Sequence, residues 1–262
     1  MFQGKTCVIL TGASKGFGRA VACSFAKEFA ESEFGKDSVL VLVARSKEGL
    51  DETRRAVEKI YGDLHVHVIS GDLGDVNHLD DLTASIFRNV DSKQFTSAVL
   101  INNAASLGDK ITSITNHTDV NSIRKYMDFN ITSFCYFTTH FLNHFSTTKN
   151  YVINISSICA IKPTPSMAYY CAGKAARNMF NQVLSYESKD TRVLNYAPGP
   201  MKTDMFEDVL QTDHDELKEM FVQMKEQDKV LEPETSADKL VLMLKQDRYK
   251  SGDHIDYFDE MP

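Results

Sequence analysis

The chain has 262 residues, 42% hydrophobic and 25% charged, which excludes collagen, disordered and disulfide-stapled classes and fits one large α/β domain or two small ones. A net charge of −7 repels polyanions on average, so neither nucleic acid nor an acidic membrane surface is an expected partner. Short β-branched apolar runs alternate with segments of helical spacing. They predict strands over residues 6–10, 39–44, 64–69, 98–101, 151–155, 192–196 and 254–258, and helices over 19–34, 47–61, 76–90, 120–145, 168–188 and 237–245. Runs apolar at nearly every position, such as VLVLVA, belong in a sheet buried on both faces.

The fold class expected is therefore α/β. No linker, repeat or low-complexity tract interrupts the alternation, which predicts a single Rossmann-type doubly wound domain over 1–262, with a seven-stranded parallel sheet flanked by helices. The irregular segment 198–233 opens on APGP and then places Leu217, Met220, Phe221 and Met224 on one helical stripe; a face packed on the body and a mobile cover are both open readings. The five cysteines, Cys7, Cys23, Cys135, Cys159 and Cys171, are scattered and never form CxxC, the pattern of reduced thiols and by default of a cytoplasmic address. The opening MFQGKTCVIL lacks the apolar core of a signal peptide, and no run approaches the roughly 18 apolar residues of a membrane span.

In VILTGASKGFGRA, Gly12, Gly16 and Gly18 follow a buried strand and precede a helix. There a backbone without Cβ can turn tightly and present free N–H groups to a pyrophosphate. A glycine cluster alone is more often just a turn; its place after the first strand makes it a dinucleotide candidate. The second strand ends in Ala44 and Arg45, with Ser46 next and no acid for a ribose 2′-hydroxyl, so Arg45 and Lys15 favour NADP(H) over the alternative of two solvated cations. Asp72 reads as an acceptor for adenine or as an ordinary turn aspartate. His65 and His67 share a strand face but have no third ligand in reach, so no metal is expected and they read as half-buried edge-strand residues.

Tyr170 and Lys174 stand four apart and share a helical face. A phenol titrates near pH ~10, and a neighbouring ammonium is expected to lower that value toward the range of an acid catalyst. The same spacing also occurs as a plain surface contact. Ser156 and Ser157 close a buried strand at the end where open α/β sheets hold ligands. Asn130 is a polar interruption in an apolar helical stretch, bound to a functional partner or satisfied by a local helix distortion. Cys171 adjoins Tyr170 but is turned about 100° away and reads as packing.

TGASKGFG, the NNA ending at Ala104, the strand-end serine, YxxxK and the PG at Pro198 and Gly199 together resemble the short-chain dehydrogenase/reductases, in order and over the whole chain. YYCAGKAARNMF, RVLNYAPGPMKTDM and the tail KSGDHIDYFDE are similar to the family's pterin-reducing members. The resemblance selects Ser157, thirteen residues before Tyr170, over Ser156. It implies catalysis by Ser157, Tyr170 and Lys174, with Asn130 holding Lys174 through a water. It further implies an NADPH site lined by Gly12, Ala13, Ser14, Lys15, Gly16, Phe17 and Gly18, by Arg45, Ser46, Asp72, Leu73, Asn103 and Lys174, and by Met201, Lys202, Thr203, Asp204, Met205 and Phe206. Asp256 would accept two parallel hydrogen bonds from a pterin, with Ile158, Gly199 and Met205 as walls beside Ser157 and Tyr170; without the resemblance, DYFDE reads as a solvated acidic tail. The family usually has NNAG where this chain has Ala105, a strained residue if the position needs positive φ. A broad NADPH diketone reductase and a binding protein without chemistry are the other readings. Apolar helices around Asn130 and Tyr170 carry the family's usual pairing surface, which implies a homodimer.

Overall fold

The computed structural model describes residues 3–88 and 90–262. Met1 and Phe2, within the predicted domain, and Asn89, within the helix predicted over 76–90, lie outside the described residues. Seven parallel strands stand in the order β3-β2-β1-β4-β5-β6-β7: β1 Thr6–Thr11, β2 Val39–Ala44, β3 His65–Ser70, β4 Ser97–Asn102, β5 Lys149–Ile155, β6 Thr191–Ala197 and β7 His254–Asp256. The order reverses between β1 and β4, which opens a crevice at their carboxyl ends. Alternate side chains serve alternate faces. Val8 and Leu10 join one core with Phe25 and Phe29, whereas Cys7 and Ile9 join the other with Phe137 and Phe141.

Helices α1 Gly16–Glu31, α2 Lys47–Ile60 and α9 Pro233–Gln246 supply the first layer. The second comprises α3 Leu79–Phe87, α4 Val120–Met127, α5 Ser133–His144 and α6 Ala168–Glu187. α9 begins four residues before its predicted start because Pro233, which cannot continue a helix from within, is well placed in its first turn. The helix predicted over 120–145 contains a π turn, Asp128–Thr132, between α4 and α5, centred on Asn130. β7 stops two residues short of its predicted end, since Asp256 Oδ1 accepts from Phe258 N at 3.0 Å and folds the tail into a turn. β3 is the sheet edge, as predicted, with His67 half-buried; His65, expected to be half-buried as well, is exposed because it starts the strand at the open edge. Among the described residues no helix is long and apolar enough to cross a membrane.

Segment 198–233 folds into two helices, α7 Asp204–Leu210 and α8 Asp215–Glu226. Its stripe packs down: Leu217, Met220 and Phe221 meet Met167, Val209, Leu107, Ile111, Cys159, Tyr170 and Cys171, whereas Met224 stays outside that cluster. Thr212 Oγ1 donates to Ile111 O at 3.2 Å, tying the segment to the opposite wall.

Candidate active site

The predicted dinucleotide loop lies at the crevice between β1 and β4. Gly12 has φ +66°, and a Cβ there would sit 2.8 Å from Asn103 Nδ2 and 2.9 Å from Ala104 Cα. Asn103 Nδ2 donates to Thr11 O at 3.0 Å and Gly12 O at 3.1 Å, and Thr11 Oγ1 accepts from the N–H groups of Asn103 and Ala104. The NNA loop is thereby lashed to the glycine loop. Lys15, at the N-cap of α1, offers no side-chain acceptor, and the first turn carries no acid. The helix thus presents its N–H groups and positive dipole end without an internal anion, which fits a pyrophosphate. A Cβ on Gly18 would meet Gly12 O at 2.2 Å. Gly18→Ala is expected to cost about 1–3 kcal/mol, read as a lowered thermal midpoint and weakened dinucleotide binding; an unchanged midpoint would show that the two turns need not approach so closely.

Lys15, Arg45, Asp204 and Met205 line a cleft of about 1050 Å³, walled also by Ala105, Leu107, Ile111 and Phe129. Lys15 Nζ pairs with Asp204 Oδ2 at 2.5 Å, and Arg45 lies 3.9 Å from Asp72 Oδ2. Both pairs are largely solvent-exposed, so each is worth only about 0–1 kcal/mol and a phosphate can displace it. Ser46 caps α2 by accepting from Gly49 N, and Asp72 accepts from Gly74 N in the turn that was its alternative reading. Ala13, Phe17, Leu73 and Phe206 bury their side chains in the protein, which leaves them main-chain atoms for a ligand. Lys202 is engaged with Glu232 at 2.5 Å. Thr203 packs beside Gly16, which brings this part of segment 201–206 against the glycine loop.

Ser157 follows β5, where its Oγ accepts from Cys159 N at 3.2 Å, and α6 brings the Tyr170 hydroxyl to face it. Ser156 points elsewhere, its buried Oγ donating to Asn178 Oδ1 at 2.7 Å. Lys174 Nζ is buried 5.5 Å from the Tyr170 ring centroid and donates to Ile155 O at 2.5 Å.

One electrostatic expectation is corrected. Burial pushes the Tyr170 phenol up from its ordinary value rather than down, with the Ser157 hydrogen bond and the Arg177 charge opposing it only in part. Burial likewise drives Lys174 well below its ordinary value, helped by Arg177, because a solvent-poor site disfavours charge. Ala105 does not meet the condition set for strain. It is absent from the positive-φ residues other than glycine, which among the described residues are Ser166, Asp228 and Asp247, so it carries no such strain.

Asn130 is satisfied locally, Nδ2 donating to Tyr126 O at 3.1 Å and Oδ1 accepting from Ser106 N at 3.0 Å. Its carbonyl accepts from Arg177 Nε. Arg177 is the residue the sequence reading missed, although positions 170, 174 and 177 share one helical face and could have signalled it. Gly199, with φ +76°, packs against Phe258 and Leu231, and Asp256 pairs in register with Ala197, so both stand at the carboxyl end of β6 and β7. Ile158 is exposed. Ser157, Tyr170, Gly199 and Asp256 do not line the large cleft; Tyr170 sits instead in the apolar cluster beneath α7 and α8.

Residues 6–214 match the family described as short chain dehydrogenase. Sepiapterin reductase of Bos taurus is 36% identical over 98% of this chain and 96% of its own length. Benzil reductase ((S)-benzoin forming) of Bacillus cereus is 27% identical over 95% and 97%. L-sorbose reductase of Gluconobacter frateurii, solved with NADPH and L-sorbose, shares the fold with a TM-score of 0.78 at 23% identity, covering 98% of this chain and 96% of that one. The chain belongs to the short chain dehydrogenase family and is an oxidoreductase.

Proposed function

We propose that this protein is a cytoplasmic NADPH-dependent reductase of the side-chain carbonyl of pterins such as sepiapterin or 6-pyruvoyl-tetrahydropterin, the last step of tetrahydrobiopterin biosynthesis. The observation that carries the reading is the Tyr170 hydroxyl facing Ser157 one helical turn from Lys174, in a fold whose crevice between β1 and β4 carries a glycine loop fit for a dinucleotide. The full-length similarity to sepiapterin reductase supports the pterin.

NADPH, when bound, supplies the hydride. Ser157 and Tyr170 donate hydrogen bonds to the carbonyl oxygen, so charge arriving there is stabilised, and Tyr170 then releases its proton to it. Its raised phenol keeps that proton through neutrality, which suits the reductive direction. Lys174, the glycine loop, Asn103 and segment 201–206 hold the cofactor, while Asn130 holds the helix turn beneath the site. Asp256 anchors the pterin's amino edge against Ile158, Gly199 and Met205, so that remote binding energy orients the ketone. A broad diketone reductase is the second reading, favoured by the similarity to benzil reductase and by the apolar surroundings of Tyr170. Turnover of sepiapterin and of a diketone, each with NADPH and with NADH, tests the assignment; no turnover with any pair overturns it.

The 2′-phosphate is assigned to Arg45 and Lys15. Losing one charged hydrogen-bonded contact worth about 1.5–3 kcal/mol, Arg45→Ala should lower kcat/KM for NADPH roughly 10- to 100-fold and leave NADH use nearly unchanged. Equal losses with both cofactors would remove Arg45 from that role.

A homodimer is proposed through α6. Met179, Val183 and Tyr186 are 59%, 45% and 78% exposed and lie on one stripe. Light scattering should give twice the chain mass, falling to one chain mass for Tyr186→Glu with Val183→Glu. A monomeric wild type at micromolar concentration would refute it.

A further inference from the structure

The helix that carries Tyr170 and Lys174 bears a third residue on the same face, Arg177, 3% exposed. Its Nε donates to the carbonyl of Asn130 in the π turn, and its Nη1 donates to Ala104 O at 3.0 Å, at the end of the loop lashed to Gly12. The guanidinium lies 5.0 Å from the Phe134 ring centroid. The titratable groups around it are Tyr126 of α4, Cys135 of α5 and, on its own helix, Tyr170 and Lys174; no carboxylate is among them. Tyr170 in turn faces Cys159, Tyr126 and Arg177. A buried cation with only carbonyls and a ring for company is costly, and removing its charge alters every ionisable neighbour.

We propose that Arg177 is a positioning residue for carbonyl reduction. Its fork binds the cofactor-side loop and the π turn to α6, which sets where Tyr170 and Lys174 stand, and its charge biases the Tyr170 proton toward release. The inference rests on Tyr170 being the proton donor. It gives the π turn a purpose: the insertion turns the Asn130 carbonyl toward α6, where Arg177 takes it. Asn130 bonds Tyr126, Ser106 and Arg177, whereas Lys174 Nζ donates to Ile155 O.

The sign of the charge effect is fixed by chemistry. A cation near a phenol favours the phenolate, so without it the phenol keeps its proton to higher pH. Reduction requires the protonated form, and the alkaline limb of its pH profile should move up. The test is the pH profile of kcat for NADPH-dependent reduction of a diketone by wild type, Arg177→Met, Arg177→Lys and Tyr170→Phe, with far-ultraviolet circular dichroism to confirm folding. Arg177→Met should lower kcat about tenfold or more, change KM little and move the alkaline limb up by about one pH unit. Arg177→Lys, which keeps the charge but not the fork, should hold the limb within about 0.3 units of wild type with kcat still reduced. A folded Arg177→Met with an unmoved limb overturns the proposal. If that variant does not fold, Arg177→Lys decides: a displaced limb or an undiminished kcat overturns it, and an unmoved limb with reduced kcat supports it. Undiminished turnover by Tyr170→Phe would instead sink the underlying reading, separately from the behaviour of Arg177.

Discussion

Tyr170→Phe should lower kcat for carbonyl reduction by about 10²–10⁴-fold while leaving NADPH affinity and the thermal midpoint close to wild type. The ring packs among Met167, Val209, Leu217 and Cys159, and phenylalanine fills the same volume, so the loss is confined to the hydroxyl. That hydroxyl faces Ser157 and is the group proposed to hand a proton to an oxygen held by both. Because burial raises the phenol, the reductive rate of wild type should be flat through neutrality and decline only on the alkaline side, as the proton is lost. The reverse oxidation, which needs the phenolate, should rise with pH over the same range. Cofactor-oxidation and cofactor-reduction profiles measure both limbs; a reductive rate already falling between about pH 6 and 8 would show that bound cofactor overrides the burial seen here.

Asp256→Asn should reduce kcat/KM for a pterin ketone by roughly 10²-fold and that for a small diketone less than about twofold, since a carboxylate accepting two hydrogen bonds is worth about 1.5–3 kcal/mol for each. Asparagine retains an oxygen for Phe258 N, so the tail turn that ends β7 survives, and the substitution removes charge and one acceptor rather than structure. Asp256 N is separately bonded to Asp259 Oδ2, and Lys239 holds the carbonyls of Tyr257 and Asp259, which keeps the tail in place in either variant. A parallel loss on both substrates would remove Asp256 from pterin recognition and favour the broad carbonyl reductase.

The strands were legible because their side chains are buried on both faces, and a run such as VLVLVA has no other stable place in water. The glycine loop, Tyr170, Lys174 and Ser157 were legible because each answers to a local constraint: positive φ, one helical turn, or a strand end. The charge states were not. The ammonium one turn from a phenol suggested a more acidic tyrosine, but whether attraction or desolvation prevails depends on everything packed around the pair, including Val209 and Leu217 from helices far along the chain. Arg177 carried no signal in composition, since an arginine on a helix is usually solvated; only the meeting of the π turn, the Ala104 loop and α6 makes it a buried clamp.

The linear pattern was sufficient for the sheet and its helical layers, because period and burial are properties of neighbouring residues. The strand order that opens the crevice, the packing of α8 over Tyr170, the burial of Arg177 and the raised phenol were decided by tertiary structure, because each depends on contacts between segments whose separation in the chain exceeds any local spacing rule.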